Sequence, residues 1–468
     1  MSLITSISGI RGTIGGKPGS GLSPLDVVKF TAAYGTWLQK RYPGKRCKVV
    51  VGRDARISGP MISGLVNSAL CGMGVDVIDA GLSTTPSVEM AVPFHSAQGG
   101  IIITASHNPK QWNALKLLNA AGEFISAADG EELLAIAAAG TFEFADVNHL
   151  GGVVNDAQAI ERHIEAVIAH PLVDRKAIAG AGFRVAVDAV NSSGGIAVPA
   201  LLNALGIGDV VELYCNPDGQ FPHNPEPLPE HLHDISREVV RKKAHLGIVV
   251  DPDVDRLAIV CEDGQMFGEE YTLVAVADHI LQHKKGNTVS NLSSTRALRD
   301  ITEKHGGSHF ASAVGEVNVV DMMKANNAVI GGEGNGGVIV PDLHYGRDAL
   351  AGIALFLSLL ARSGKTCSML RATYPDYFIS KNKIELTPDI DVQLILDRIT
   401  EKYKRQPVNT IDGVKIEFDR EWVHLRRSNT EPIIRIYAES QSMTTAENLA
   451  GKIIADIKDL ITEMLTRA

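Results

Sequence analysis

The sequence predicts an α/β protein of several domains followed by a smaller α+β domain, and three observations predict it. The chain has 468 residues, more than one hydrophobic core ordinarily organises, which suggests roughly three or four domains. Short apolar runs recur, each ending in a polar loop and followed by helical spacing, as in strand–loop–helix units. The last hundred or so residues break that rhythm, with strands bunched together and one long amphipathic helix at the end.

Taken in order, the first segment covers about 1–150. KVVVGRDARISG reads as a buried strand, Cys47 to Val51, running into a polar loop. A helix follows over 58–74, then the strand VDVIDAG, then a strand from Ile101 to Thr104 that ends in a loop; the Ala-rich stretch 127–139 is helical. The second segment, about 151–258, repeats the logic with FRVAVDAVNSSGG, a helix over 196–205, and HLGIVVDPDVDR, a strand ending in an acidic loop. The third, about 259–372, has the strand LAIVCEDG, a helix over 269–284, the strands NTVSNLSS and NAVIGGEGNGG, and a helix over 348–362. The fourth, about 373–468, has KNKIEL, a helix near 391–404, VKIEFD, EWVHLRRS, PIIRIYAES and a terminal helix over 443–466. That helix has Leu449, Ile453, Ile457, Leu460 and Ile461 on one face, so this segment reads as an antiparallel α+β domain.

Bulk properties exclude some functions. The formal net charge of −9 repels a phosphate backbone, so no nucleic-acid partner is expected. The five cysteines, Cys47, Cys71, Cys215, Cys261 and Cys367, are scattered without a C-x-x-C pair. They read as reduced thiols of a cytoplasmic protein. No apolar run reaches membrane-spanning length, and the N-terminus has no apolar signal core.

The chemistry concentrates in four loops. In Thr104-Ala-Ser-His-Asn-Pro109, Ser106 lies just past a buried strand, held among small and turn-forming residues. His107 and Asn108 stand beside it, and Lys116 downstream can bring a positive charge back. Pro109 stops the strand. In Asp251-Pro-Asp-Val-Asp-Arg256, three carboxylates at alternate positions converge and suit a hard divalent cation such as Mg²⁺. The same residues fit the start of an EF-hand, but Arg256 stands where that loop requires Gly, and LAIVC reads as a strand. Gly332-Glu-Gly-Asn-Gly-Gly337 fits a dinucleotide-binding turn, yet Val338-Ile-Val-Pro341 does not open a helix. The loop is better read as presenting Glu333 and Asn335 to a polyhydroxyl ligand. Finally, Arg427, Ser428 and Thr430 in Arg426-Arg-Ser-Asn-Thr-Glu-Pro432 make a phosphate cradle with the loop N–H groups. Asn429 in that turn and Arg435 on the next strand are grouped with it.

The order of these loops resembles the α-D-phosphohexomutase family of phosphoglucomutases, phosphomannomutases and phosphoglucosamine mutases. Gly9-Ile-Arg-Gly12, Gly52-Arg-Asp-Ala-Arg-Ile-Ser-Gly59, the serine loop, the aspartate loop, Gly332-Glu-Gly-Asn-Gly336 and Arg427-Ser-Asn-Thr-Glu-Pro432 match its motifs over essentially the whole chain. The resemblance implies three similar α/β domains with mixed sheets and a C-terminal α+β domain around a central cleft. It implies a phosphoryl group on Ser106 and Mg²⁺ held by Asp251, Asp253, Asp255 and a phosphoserine oxygen. Lys116, Arg11 and Arg256 would line the transfer site with His107, and Glu333 would bind sugar hydroxyls. The substrate would be a hexose phosphate, with a hexose 1,6-bisphosphate as intermediate and activator and a monomer or homodimer as the working state.

The chain departs from the pattern in places. Where the family often reads G-E-M-S-G-H, Asn335 replaces Ser and Gly337 replaces His. Asn429 stands where the cradle usually has Gly, and Trp112 and Ala114 replace common Tyr and Gly types. The GEGNGG loop is most similar to the phosphoglucosamine mutase branch, which points to glucosamine phosphate ahead of mannose or glucose phosphate. A metal-dependent sugar phosphatase would use the same serine, and a non-catalytic sugar-phosphate sensor would not need Ser106 and three aspartates together.

Overall fold

A computed structural model describes residues 2–6, 9–386, 390–427 and 433–467. The chain forms two compact units, Met1–His283 with Asn335–Leu370, and Lys284–Gly334 with Arg371–Ala468. Among the described residues the strands assemble into four sheets.

The first unit holds two of them. Its seven-stranded sheet is mixed. The strands Lys48–Arg53, Asp76–Leu82 and Gly99–Ile103 run parallel. Trp112–Leu118 returns antiparallel beside Gly99–Ile103 and pairs in turn with Gly9–Thr13. Both faces are covered, because separate apolar clusters form on the two sides. One contains Val49, Val51, Ile101 and Ile103, the other Val50, Ile102 and Leu118. A strand buried on both faces carries a continuous apolar run instead of an alternating one, which is what GGIII shows. The helix Pro24–Arg41 begins at a reciprocal cap in which Ser23 and Asp26 satisfy each other's backbone. The Ala-rich helix spans Ala127–Ala139 and ends on Gly140 in the left-handed conformation.

In the second sheet, Arg184–Asp188 lies parallel between Asp209–Leu213 and Leu246–Val250. The strand Leu257–Cys261, read from the sequence as opening the third segment, instead folds back antiparallel on Leu246–Val250. The aspartate loop is therefore the tip of a hairpin whose two strands are buried throughout.

The second unit contains a parallel trio, His309–Ser312, Asn287–Asn291 and Ala328–Glu333. Its five-stranded sheet is antiparallel throughout, including Phe378–Glu385, Ile433–Ser440, Trp422–Arg427 and Val414–Glu417. The helices Val392–Lys402 and Met443–Arg467 bury Ile395, Ile399, Ile453 and Ile457 in that sheet's core. Among the described residues no helix is long and apolar enough to cross a membrane, and the five cysteines are free.

Candidate active site

The serine loop leaves the end of Gly99–Ile103 with Ser106 at φ +47°, a left-handed conformation that a non-glycine residue adopts only when its surroundings hold it there. The surroundings are specific. The Ser106 N–H donates to Thr104 Oγ1 at 2.9 Å, and Thr104 Oγ1 donates to Asp54 Oδ2 at 2.7 Å. Arg56 is fully buried, pairs with Asp54 at 3.0 Å, and donates to the carbonyls of Ser106 (2.5 Å), Asn108 (2.7 Å), Pro109 (2.8 Å) and Trp112 (2.9 Å). One guanidinium thus fixes the whole loop, using the fork geometry that lysine lacks. Arg11 reaches the same loop through Asn108 Oδ1 at 3.1 Å.

The aspartate loop meets this serine. Ser106 Oγ donates to Asp251 Oδ2 at 2.7 Å. Asp251 Oδ1 accepts the N–H groups of Asp255 and Arg256, both at 3.1 Å, which curls the loop, and Val254 at its crest has φ +63°. As a result Asp251, Asp253 and Asp255, all buried, bring carboxylate oxygens within 4.8 Å of one another. Lys116 donates to Asp253 Oδ2 at 2.8 Å and lies 3.4 Å from Asp255 Oδ2. Thr85 donates to Asp253 Oδ2 at 2.6 Å, and Arg347 donates to Asp255 Oδ2 at 2.7 Å. Asp253 Oδ1 and Asp255 Oδ1 are buried without a hydrogen-bond partner.

The electrostatics follow from this crowding. Burial, with Asp255 and Asp253 beside it, pushes the Asp251 carboxyl well above the usual carboxylate range. Burial pushes Asp253 the same way, but Lys116 and the Lys116 and Thr85 hydrogen bonds outweigh it and hold Asp253 below that range. Lys116 is raised, since Asp253 and Asp255 overcome its own burial. His107 Nδ1 lies 3.4 Å from Ser106 Oγ; burial, then Arg256, lowers this imidazole to about 2, so it is neutral at physiological pH. Arg256 pairs with Glu226 at 3.3 Å. Three buried oxygen donors, two of them carrying an oxygen that accepts no hydrogen bond, suit a hard divalent cation better than a zinc-type site of nitrogen and sulfur.

Ser106, His107, Arg11, Lys116, Asp251, Asp253, Asp255 and Arg256 therefore come together in the first unit. Asn335 is also in that unit, with its Oδ1 turned onto the N–H of Gly337 at 3.2 Å. The other predicted residues belong to the second unit. Glu333 is buried at the end of Ala328–Glu333, where its Oε1 accepts from Asn291 Nδ2 (2.8 Å) and the Gly315 N–H (3.1 Å). Arg427 is exposed at the end of Trp422–Arg427 and lines a cavity of 510 Å³ with Asp397, Thr400 and Glu401. Arg435 stands between Lys383 and Arg426 on neighbouring strands. Like charges directly across strands repel, and an anion relieves them; Arg426 already has Asp412 at 3.0 Å. Ser428, Asn429 and Thr430 lie outside the described residues.

Sequence reading missed Arg56, Thr85 and Arg347 as parts of the site. Arg56 was within a quoted motif, and its one signal was an arginine in a loop between a buried strand and a helix. Thr85 and Arg347 had none, because nothing local marks a side chain that pairs with a carboxylate far along the chain.

Comparison with known proteins agrees across the chain's length. It matches the four parts of one family description, "Phosphoglucomutase/phosphomannomutase, alpha/beta/alpha domain I" at residues 3–144, domain II at 161–264, domain III at 268–377, and the C-terminal domain at 387–455. It is 33% identical over 98% of both chains to a probable phosphoglucosamine mutase of Methanopyrus kandleri. It is 36% identical over 90% of this chain and 92% of the other to a phosphoglucomutase/phosphomannomutase of Thermococcus kodakarensis. A crystal structure of a phosphoglucomutase/phosphomannomutase family protein from Burkholderia thailandensis superimposes with a TM-score of 0.84 at 27% identity, over 97% of each chain.

Proposed function

The chain belongs to the phosphoglucomutase/phosphomannomutase family and is a phosphohexomutase, an isomerase, and from that premise we propose that Ser106 carries the phosphoryl group and that glucosamine phosphate is the substrate. The observation that carries the mechanism is the 2.7 Å bond from Ser106 Oγ to Asp251 within the buried triad. The serine oxygen is thereby fixed where a phosphoryl group would meet Lys116 and the carboxylates.

Phosphorylated Ser106 gives its phosphoryl group to the free hydroxyl of the hexose phosphate. The bond to Ser106 Oγ breaks as the bond to the sugar oxygen forms, and the hydroxyl proton passes to a base at the site. After the hexose 1,6-bisphosphate turns over, Ser106 takes the other phosphoryl group and the proton returns. Catalysis of this transfer is chiefly positioning and charge neutralisation. Arg56 holds the serine loop still, Lys116 supplies the nearby positive charge, and Arg11 and Arg256 flank the path. Neutral His107, 3.4 Å from Ser106 Oγ, would hydrogen-bond oxygen at that position without adding charge. Asp251, Asp253 and Asp255 with the seryl phosphate would hold Mg²⁺, which when bound neutralises charge building on the transferring group. Arg427 would bind the phosphate that does not react, and Glu333, its carboxylate fixed by Asn291, would accept sugar hydroxyls.

Glucosamine is favoured by the name of the Methanopyrus relative together with the Gly-Glu-Gly-Asn-Gly-Gly loop. The second reading, glucose or mannose phosphate, is favoured by the Thermococcus relative. Side-by-side kcat/KM on the 1-phosphates of glucosamine, glucose and mannose decides between them, with glucosamine expected highest. The same reactions are followed for free phosphate. Release faster than isomerisation would make the transfer to water the main event and overturn the Ser106 cycle.

A further inference from the structure

We infer that Arg347 is a positioning residue for the mutase reaction, reaching Asp255 through the space that glycine at position 337 leaves open. The inference rests on the triad being a metal site. Its carriers are a steric fact, a hydrogen bond and a clamp, all within the first unit.

The steric fact concerns Gly337. It lies in the strand Gly337–Ile339, and its backbone is not in the left-handed region, so no conformational need demands glycine there. What demands it is room. A Cβ at Gly337 would lie 2.4 Å from Arg347 Cδ and 3.0 Å from Arg347 Cγ. The arginine stem thus occupies the volume of the missing side chain. Where the family pattern has histidine, this chain has an empty position with an arginine from ten residues downstream running through it.

From there Arg347, 8% exposed, donates to Asp255 Oδ2 at 2.7 Å. Lys116 approaches that same oxygen at 3.4 Å. Two cations on Oδ2 fix the rotation of the carboxylate and leave Oδ1, which accepts no hydrogen bond and has only the Arg256 guanidinium 4.0 Å away, as the atom turned to a metal. Without Arg347, Asp255 could present either oxygen, and a preset ligand would become one that must be ordered on binding.

The clamp explains why the arginine is fixed. The next residue, Asp348, caps the helix Ala349–Ser363, and its Oδ2 accepts from His163 Nε2 at 2.8 Å and His344 Nε2 at 3.2 Å. His163 is held in turn by Ser87 at 2.9 Å, and His344 faces Glu89 at 3.3 Å. On the other side, a Cβ at Gly346 would lie 1.9 Å from Glu89 Oε2, so the chain is pressed against that carboxylate. The Asp348 N–H donates to the Val338 carbonyl at 2.8 Å and the Ala349 N–H to that of Val254 at 3.2 Å. The arginine therefore leaves a backbone tied both to Gly337's strand and to the crest of the aspartate loop.

The test uses the full-length protein with Arg347→Met, which keeps the stem, Arg347→Lys, which keeps the charge but loses the fork, Gly337→Ala, and the Gly337→Ala/Arg347→Met double variant. Mn²⁺ affinity is measured by electron paramagnetic resonance without substrate, and kcat and KM alongside. Arg347→Met is expected to weaken Mn²⁺ binding by about 10- to 100-fold, the usual cost of losing an outer partner of a metal ligand, and to lower kcat while KM for the hexose phosphate moves less than about threefold. Arg347→Lys should recover part of the affinity. Gly337→Ala should weaken Mn²⁺ in the parent and do nothing further in the Arg347→Met background, because both changes displace the same guanidinium. Near-UV circular dichroism identifies any variant that has lost its packing, and Gly337→Ala, one methyl group, then carries the test alone. If the parent binds Mn²⁺ and Arg347→Met binds it within about twofold, or the two substitutions act additively, this inference is overturned and the triad reading stands. If the parent binds no Mn²⁺, the triad reading falls and takes this inference with it.

Discussion

The serine loop and the C-terminal strand pair both end in residues expected to handle phosphate, yet the fold holds them in opposite ways. Ser106 sits on a loop whose four carbonyls are gripped by a guanidinium with no exposure of its own, and the three aspartates gathered beside it are buried. Arg427 stands exposed at a strand end, beside a 510 Å³ cavity. The contrast has a physical reason. A group that transfers phosphoryl must not move between reactant and transition state, so its dipoles and charges are set in advance where water cannot screen them. A group that must receive a substrate's remote phosphate, in the proposed cycle in either orientation, works from an accessible surface and gains its order when the ligand arrives.

The comparison breaks most severely at Ser106. Ser106→Ala is expected to abolish mutase turnover and remove the phosphoryl mass from the protein, with the melting temperature little changed. Retained turnover near that of the parent would take the serine out of the mechanism.

Arg56→Leu probes what preparation in advance is worth. It leaves Asp54 buried without its cation and four carbonyls without their donor, so a loss of about 3–5 kcal/mol in urea unfolding is expected, with activity falling as well. A stability change under about 1 kcal/mol would mean that the loop keeps its shape without the guanidinium.

At the other pole, Arg427→Ala should leave stability unchanged, since the side chain is exposed, while kcat/KM drops by about 30- to 1,000-fold, equivalent to about 2–4 kcal/mol. The phosphoryl mass on Ser106 should survive. A loss under about threefold would sink the phosphate role of this strand end.

The smallest expected effect is on pH dependence. Burial alone would lower the imidazole of His344, but Asp348 and Glu89 raise it to about 10. A folded-state value above the unfolded one contributes stability that is complete below about 6.5 and is lost as pH rises through about 10. The melting temperature of the parent should therefore fall more steeply between about pH 8 and pH 10.5 than that of His344→Gln. Parallel curves would show that His344 is not held charged.

Sequence by itself determined the elements whose information is local. The Ala-rich helix was legible over 127–139 because helix formers and a terminal Gly140 lie within one stretch. The serine and aspartate loops were legible because polar residues interrupt runs that are otherwise buried throughout. Local signals failed where both faces of an element are covered. The strand Trp112–Leu118 was not read, since its burial does not alternate and the period-two signal vanishes. The helix Pro24–Arg41 was missed although Ser23 and Asp26 spell out its cap. Only the tertiary structure decided that Leu257–Cys261 turns back on Leu246–Val250, and so curls three aspartates into one cluster. It alone brought Thr85 to Asp253, Arg56 to the serine loop, and Arg347 through the gap at Gly337 to Asp255. A residue type fixes which hydrogen bonds a side chain can make. Strand order, burial and the space left by a neighbour fix which of them it does make, and those arise only when distant segments pack.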